Sequence, residues 1–268
     1  MVCLCLISPA LGQEYPWLQH YDNTNTIKAR FDVPEKYKRI PAEEGSFAQW
    51  LRHLPLKEDG AKVLLYNGDK KWNQWAHCAV VNIDVGNKDL QQCADAVIRL
   101  RAEYLYSRGM FDSISFNFTS GDRATFRDWI SGKRPRVNGN KVTWTRNAAV
   151  DSSYATFREY LNTVFTYAGS FSLSKELKRR TDPCDIQIGD IFIQGGFPGH
   201  AVIVVDLAED KSSGKRMFML AQSYMPAQEI HVLKNPYNAT LSPWYDCDFG
   251  ERIRTPEWTF ERADLKRW

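Results

Sequence analysis

The spacing of apolar positions changes near residue 185. Upstream of it the runs are mostly helical. "SFAQWLRHL" predicts a short helix, and "WAHCAVVNIDV" (75–85), rich in Val and Ile, predicts a buried strand. In "KDLQQCADAVIRLRAEYLYS", Leu90, Cys93, Ala94, Val97 and Leu100 share one stripe at helical spacing, with Asn87 as the expected cap. That register sets Cys93 about a turn inside the helix, on its buried side. "SISFNF" and "KVTWT" predict short strands, and "RATFRDWISG" a short helix stopping at Gly132. "SYATFREYLNTVFTYAG" turns Tyr154, Phe157, Leu161, Val164 and Phe165 inward, capped by Asp151 or a neighbouring serine; "SLSKELKRR" follows as a shorter helix. From 185 onward the period is two: "IQIGDIFIQ", "HAVIVVDL", "RMFMLAQSYM", "EIHVL" and "ERIRTPEWTF", with Gly, Pro, Asn and Asp between. Helices followed by an antiparallel sheet predict an α+β fold. Residues 13–145 read as an N-terminal α/β region, either a second domain or a wrapping around the rest, and 146–268 as a helix-plus-sheet region.

Composition fits a folded chain. Hydrophobic residues are 43% and charged residues 25%, and 35 basic against 32 acidic side chains leave a net charge of +3. So small a balance gives no reason to expect nucleic acid, and the basic run "SGKRPR" (131–136) reads as a solvated loop. No stretch is apolar for long enough to span a bilayer. "MVCLCLISPALGQ" resembles the end of a secretory signal peptide, with Ala10-Leu11-Gly12 as a small-x-small site, so residues 1–12 are expected to be removed and the protein exported. Past that point four cysteines remain, Cys78, Cys93, Cys184 and Cys247, without a Cys-x-x-Cys; Cys184 and Cys247 could be bridged. The five histidines are scattered, so no metal and no cofactor is expected.

Chemistry concentrates around His200. In "QIGDIFIQGGFPGHAVIVVD" (187–206) it opens an otherwise apolar strand after a glycine-rich turn. Such a histidine is either a hydrogen-bonded core residue or a base held near a surface. Gln222, on the next strand, can accept from one ring nitrogen and leave the other free. His231 alternates with Ile230 and Val232 and is expected at the surface, and His77 and Cys78, being adjacent on a strand, point to opposite faces. "KWNQW" and "SPWYDCDF" are either core aromatics or the lining of a sugar groove. Asn117-Phe-Thr and Asn238-Ala-Thr are glycosylation sequons by spacing alone.

The order of parts from 151 to 224 resembles the NlpC-type cell-wall peptidases and amidases, which share a papain-like fold. "DSSY" (151–154) stands where that family has Asp-Cys-Ser, "IGDIF" matches its Gly-Asp strand, "GHAVIVV" its histidine strand, and "LAQSY" the strand of its third polar residue. The resemblance implies an amide-bond hydrolase with His200 as base and Gln222 as its orienter. The nucleophile position holds Ser152 instead of Cys, and a hydroxyl gains less than a thiol from a helix N-terminus. Ser152 is therefore either a weakened nucleophile or part of a helix cap. Cys93, in "QQCADA", resembles the Gln-Cys opening of related amidase domains, and Gln92 or adjacent amides would then serve an oxyanion; the alternative is a core cysteine. The implied partner is a cell-wall peptide or glycan, at the periplasm or cell surface. The rival expectation is an inactive papain-like domain that binds such a ligand in the old cleft. The whole chain is also similar to a family of exported bacterial proteins known as a domain of unknown function, which implies no activity.

Overall fold

The computed structural model describes residues 14–182 and 185–268. The signal-peptide reading of residues 1–12 and the Cys184 half of a Cys184–Cys247 bridge lie outside them. Among the described residues, nine strands form one sheet, and every pairing in it is antiparallel. The main path runs His77–Val80, His231–Leu233, Arg216–Gln222, His200–Asp210, Ile191–Gln194, Leu265–Arg267 and Lys178–Arg179. Tyr37–Arg39 pairs with the far end of the His200 strand, and Tyr245–Asp246 with Met217 and Phe218. The fold is α+β, as the switch of periodicity predicts.

The sheet is covered on both faces, and the His200 strand shows why. Its Ala201, Ile203, Val205 and Ala208 enter a large core shared with the helices, while Val202, Val204 and Leu207 enter a smaller one with Phe192, Phe218 and Phe260. A strand with two apolar faces reads as a continuous apolar run, which "HAVIVVDL" is. The large core draws on residues from Tyr15 to Trp244, so the segments on either side of residue 145 pack into one interior. Buried charge ties them further. Asp206, on the His200 strand and fully buried, accepts from Arg52 Nε at 2.6 Å and Arg39 Nε at 2.7 Å.

Helices form at Phe47–Arg52, Cys93–Ser107, Phe126–Ile130, Tyr154–Tyr167 and Ser170–Glu176, close to the predicted segments. Two local expectations need correction. The helix expected from Asn87 begins instead at Cys93. Residues 88–92 are spent on tight turns, with Leu90 N–H donating to Lys88 O and Gln92 N–H to Leu90 O, both at 2.8 Å. Asp95 then closes the end, its carboxylate accepting from Gln92 N–H at 3.1 Å. The run "SGKRPR" is no free loop: Lys133–Asn138 pairs with Lys141–Arg146 in a hairpin.

Candidate functional site

A cavity of about 640 Å³ opens where the first turn of the Cys93–Ser107 helix meets the start of the His200 strand. Cys93 and His200 both line it. They come from distant parts of the chain, yet the thiol lies near the amide of Ala201, the residue after His200. Gln222, on the next strand, reaches the histidine from behind.

The glycine-rich turn makes this meeting sterically feasible. A Cβ on Gly199 would stand 2.4 Å from Ser170 Oγ and 2.5 Å from Gly196 O, distances no side chain tolerates. The backbone before His200 thus lies flat against the Ser170–Glu176 helix, which also lines the cavity through Ser170 and Phe171. Gly196 has φ +134, a conformation that disfavours L side chains.

His200 is 1% exposed and boxed by aromatic rings, with Tyr224 at 4.7 Å, Trp258 at 5.3 Å and Phe260 at 5.8 Å between centroids. Its Nε2 is 2.8 Å from Gln222 Oε1. The other end of Gln222 fixes the assignment. Its Nε2 donates to Glu257 Oε2 at 2.7 Å, and a carboxylate can only accept there. The same nitrogen lies 3.3 Å from His231 Nε2, while His231 Nδ1 donates to Glu229 O at 2.8 Å, so His231 Nε2 is also an acceptor. Gln222 therefore turns its carbonyl to His200. His200 carries its proton on Nε2, and Nδ1 keeps a lone pair.

Behind Gln222 the network is ionic. Lys71 Nζ donates to Glu257 Oε2 and lies 3.3 Å from His231 Nε2, and both members of the Lys71–Glu257 pair are largely buried. His231, expected at the surface, is 0% exposed. The alternation was real, but its strand is central, between His77–Val80 and Arg216–Gln222, and both its faces are covered. His77 stacks edge-on against it at 5.9 Å.

Burial keeps both reactive groups neutral at rest. It holds the His200 imidazole down at about 4, with the Gln222 bond pulling upward and Lys71 pushing down. It pushes the Cys93 thiol up to about 11, helped by Asp95 and opposed by the amides of Ala201, Ala94 and Cys93 itself. The amides of Cys93 and Ala94 at the helix N-terminus and that of Ala201 on the facing strand are donors to the sulfur, and the helix dipole favours negative charge there. Cys93 thus stands at the first helical residue, one turn earlier than the stripe predicts. The site combines a thiol, a lone pair on an oriented imidazole and convergent N–H donors. That set is suited to nucleophilic attack with general-base help.

The remaining sequence candidates sit elsewhere. Ser152 is exposed, and its carbonyl accepts from Tyr106 Oη at 3.0 Å; it does not line the cavity. The helix it was expected to open is capped by its neighbour Ser153, whose Oγ accepts from Thr156 N–H. Gln92 lines the cavity, but its amide nitrogen is 3.2 Å from Asp89 Oδ1. Trp72 and Trp75 are exposed away from the cavity, and Trp244 is buried in the core. Asp190 of the Gly-Asp strand is structural: Arg267 grips both its oxygens, at 2.5 and 2.8 Å. Sequence reasoning missed Lys71, Glu257 and Asp95. No spacing links the first two to His200, and only the tryptophan beside Glu257 in "TPEWTF" marks an unusual segment.

Among the described residues no group of three or more His, Cys, Asp or Glu is arranged to hold a metal ion, and no helix is long and apolar enough to cross a membrane. No curated protein and no solved structure matches the chain. Residues 27–267 match the model of a family described as "Domain of unknown function (4846)", and the chain belongs to that family. The whole-chain similarity to a domain of unknown function, expected from the sequence, is thereby met.

Proposed function

We propose that this member of a family without an assigned activity is a cysteine-dependent amide-bond hydrolase of papain-like architecture. Cys93 is the nucleophile, His200 the base and Gln222 the residue that orients it. The observation that carries the reading is the tautomer of His200: Gln222 and Glu257 hold the proton on Nε2 in a cavity that Cys93 also lines. The NlpC-type resemblance supports the same base and orienter, with Cys93 supplying the thiol missing at Ser152.

In this reading Cys93 Sγ attacks the substrate carbonyl carbon while its proton passes to His200 Nδ1. The oxyanion forms against the amides of the helix N-terminus. His200 returns the proton to the leaving amine as the C–N bond breaks, leaving an acyl thioester. His200 next takes a proton from water, the hydroxide adds to the thioester, and the carboxylic acid departs as the thiol re-forms. A cell-wall peptide as substrate and an exported location remain part of the proposal, resting on the resemblance and on the N-terminal segment.

One observation favours a second reading, a catalytically silent module that binds a cell-wall ligand in this cavity. Burial holds Cys93 at about 11, so the resting thiol is neutral and less nucleophilic than a thiolate. Incubation with purified peptidoglycan and mass spectrometry of released fragments separates the two. Fragments produced by the wild type but by neither Cys93→Ala nor His200→Ala support the hydrolase. Sedimentation of all three with the wall and no fragments from any of them supports the binding module.

A further inference from the structure

The cavity has an uneven chemistry. Among the described residues, those lining it include no lysine or arginine, while Asp89 and Asp95 both face it. Asp95 is 6% exposed, and its Oδ1 has no hydrogen-bond partner. Burial raises its carboxyl well above the usual carboxylate range. The rest of the wall is uncharged: the large apolar side chains Leu90, Phe165, Phe171, Phe197, Met225 and Trp258 stand beside neutral polar ones such as Gln92, Thr119 and Thr166. Phe197 is 94% exposed, Met225 51% and Phe171 42%, so three of the large apolar side chains that line the cavity also stand in water. Large exposed apolar side chains on the wall of a cavity are surface that a ligand would cover.

Charge decides what that ligand is. A carboxylate entering the cavity would leave water, meet no cation and approach two acids. Desolvation opposes it, repulsion from Asp89 acts in the same direction, and no cation offsets either. An apolar group would cover Phe171, Phe197 and Met225 at no such cost.

We propose that the part of the substrate held in this cavity is apolar and carries no carboxylate. The inference rests on the reading of Cys93 as a reactive nucleophile and narrows it. Within cell-wall peptides it selects segments with apolar, uncharged side chains over their acidic ones.

Alkylation of Cys93 tests this without any knowledge of the natural substrate. The full chain is treated with N-benzyl-2-chloroacetamide or with N-(carboxymethyl)-2-chloroacetamide. Cys93 modification is followed by peptide mapping, and each rate is divided by the reagent's rate with free cysteine. The expected result is that the benzyl reagent is favoured at Cys93 by about tenfold or more. Phe197→Ala should reduce this preference, and Asp89→Lys should raise the relative rate of the carboxylate reagent. Equal normalised rates, or faster reaction of the carboxylate reagent, would overturn this inference while leaving a reactive Cys93. If Cys93 reacts with neither reagent, the inference and the nucleophile reading fail together.

Discussion

The carbonyl of Gln222, which does not itself line the cavity, holds His200 by its Nε2 at 2.8 Å. One side-chain amide thereby decides which nitrogen of the imidazole can act as a base. Gln222→Ala removes that decision and leaves a buried ring with an unpaired N–H. Hydrolysis should fall by about 10²-fold, within the range of an acid–base contribution. The check is kcat and KM on any substrate released in the cell-wall digest, together with histidine nitrogen NMR, in which the His200 signals should shift from a single Nε2–H tautomer to a mixture.

Glu257 acts at one remove, by aiming the Gln222 amide. Glu257→Ala also strands Lys71, a 5% exposed ammonium, and breaking a buried pair costs about 3–5 kcal/mol. The double variant Lys71→Met/Glu257→Leu removes both charges and should recover most of that stability. It should not recover the single His200 tautomer. Denaturant midpoints beside the NMR signature separate the two effects; a double variant with a wild-type tautomer would show that Glu257 does not aim Gln222.

Acid should weaken the fold before it protonates the surface carboxylates in bulk. The folded protein holds His200 at about 4 against 6.5 for an ordinary imidazole, so the unfolded chain binds the extra proton first. Stability from this group is complete above pH 6.5 and is lost as pH falls through that value towards 4. The loss is on the order of 3 kcal/mol. His231, held well below 6.5 by burial and then by Lys71, adds in the same direction. Urea midpoints measured from pH 7 to 4 should decline, and His200→Gln should flatten the curve. The acid limb of hydrolysis should lie near 4 as well.

Gly199→Ala tests the tight approach beneath the site. The added Cβ meets Ser170 Oγ and the carbonyl of Gly196, so the turn must move away from the Ser170–Glu176 helix. Overpacking of this kind costs about 1–3 kcal/mol. Because the displaced backbone carries His200, hydrolysis should fall by more than the stability change explains. A variant with lowered melting temperature and full activity would disconnect the turn from the site.

Cys93→Ser should abolish hydrolysis, while Ser152→Ala should leave it within about twofold, since surface substitutions far from such features rarely matter. Loss of activity in Ser152→Ala would return the nucleophile to the position the family resemblance assigns.

The sequence carried the order of elements well because each is written in short-range spacing. "HAVIVVDL" and "SYATFREYLNTVFTYAG" need no distant partner to be recognised. His200 and Gln222 were legible for the same reason: both lie on consecutive strands joined by a hairpin, where register is local. Cys93 was legible as a candidate and misplaced by a turn, because the Asp95 cap and the tight turns at 88–92 override a helical pattern that continues upstream. His231 was misplaced because alternation reports two faces without saying whether both are covered. Lys71 and Glu257 left no trace, since nothing local distinguishes a buried ion pair from two solvated charges.

The strand pairings of this sheet also bear on when the site comes into being. Tyr37–Arg39 waits for residues 208–210, His77–Val80 for 231–233 and Asp190 for Arg267. Contacts so far apart in sequence form late and slowly. During synthesis Cys93 emerges long before His200, and Glu257 later still. A growing chain therefore carries Cys93 before the strand of His200 exists, and the proposed pair is assembled only after the segments around residues 200, 222 and 257 have been made and have folded. In the proposed reading it is hydrolysis, and not simple alkylation of the thiol, that reports completed folding, because an unfolded chain exposes Cys93 without the burial that raises its pKa.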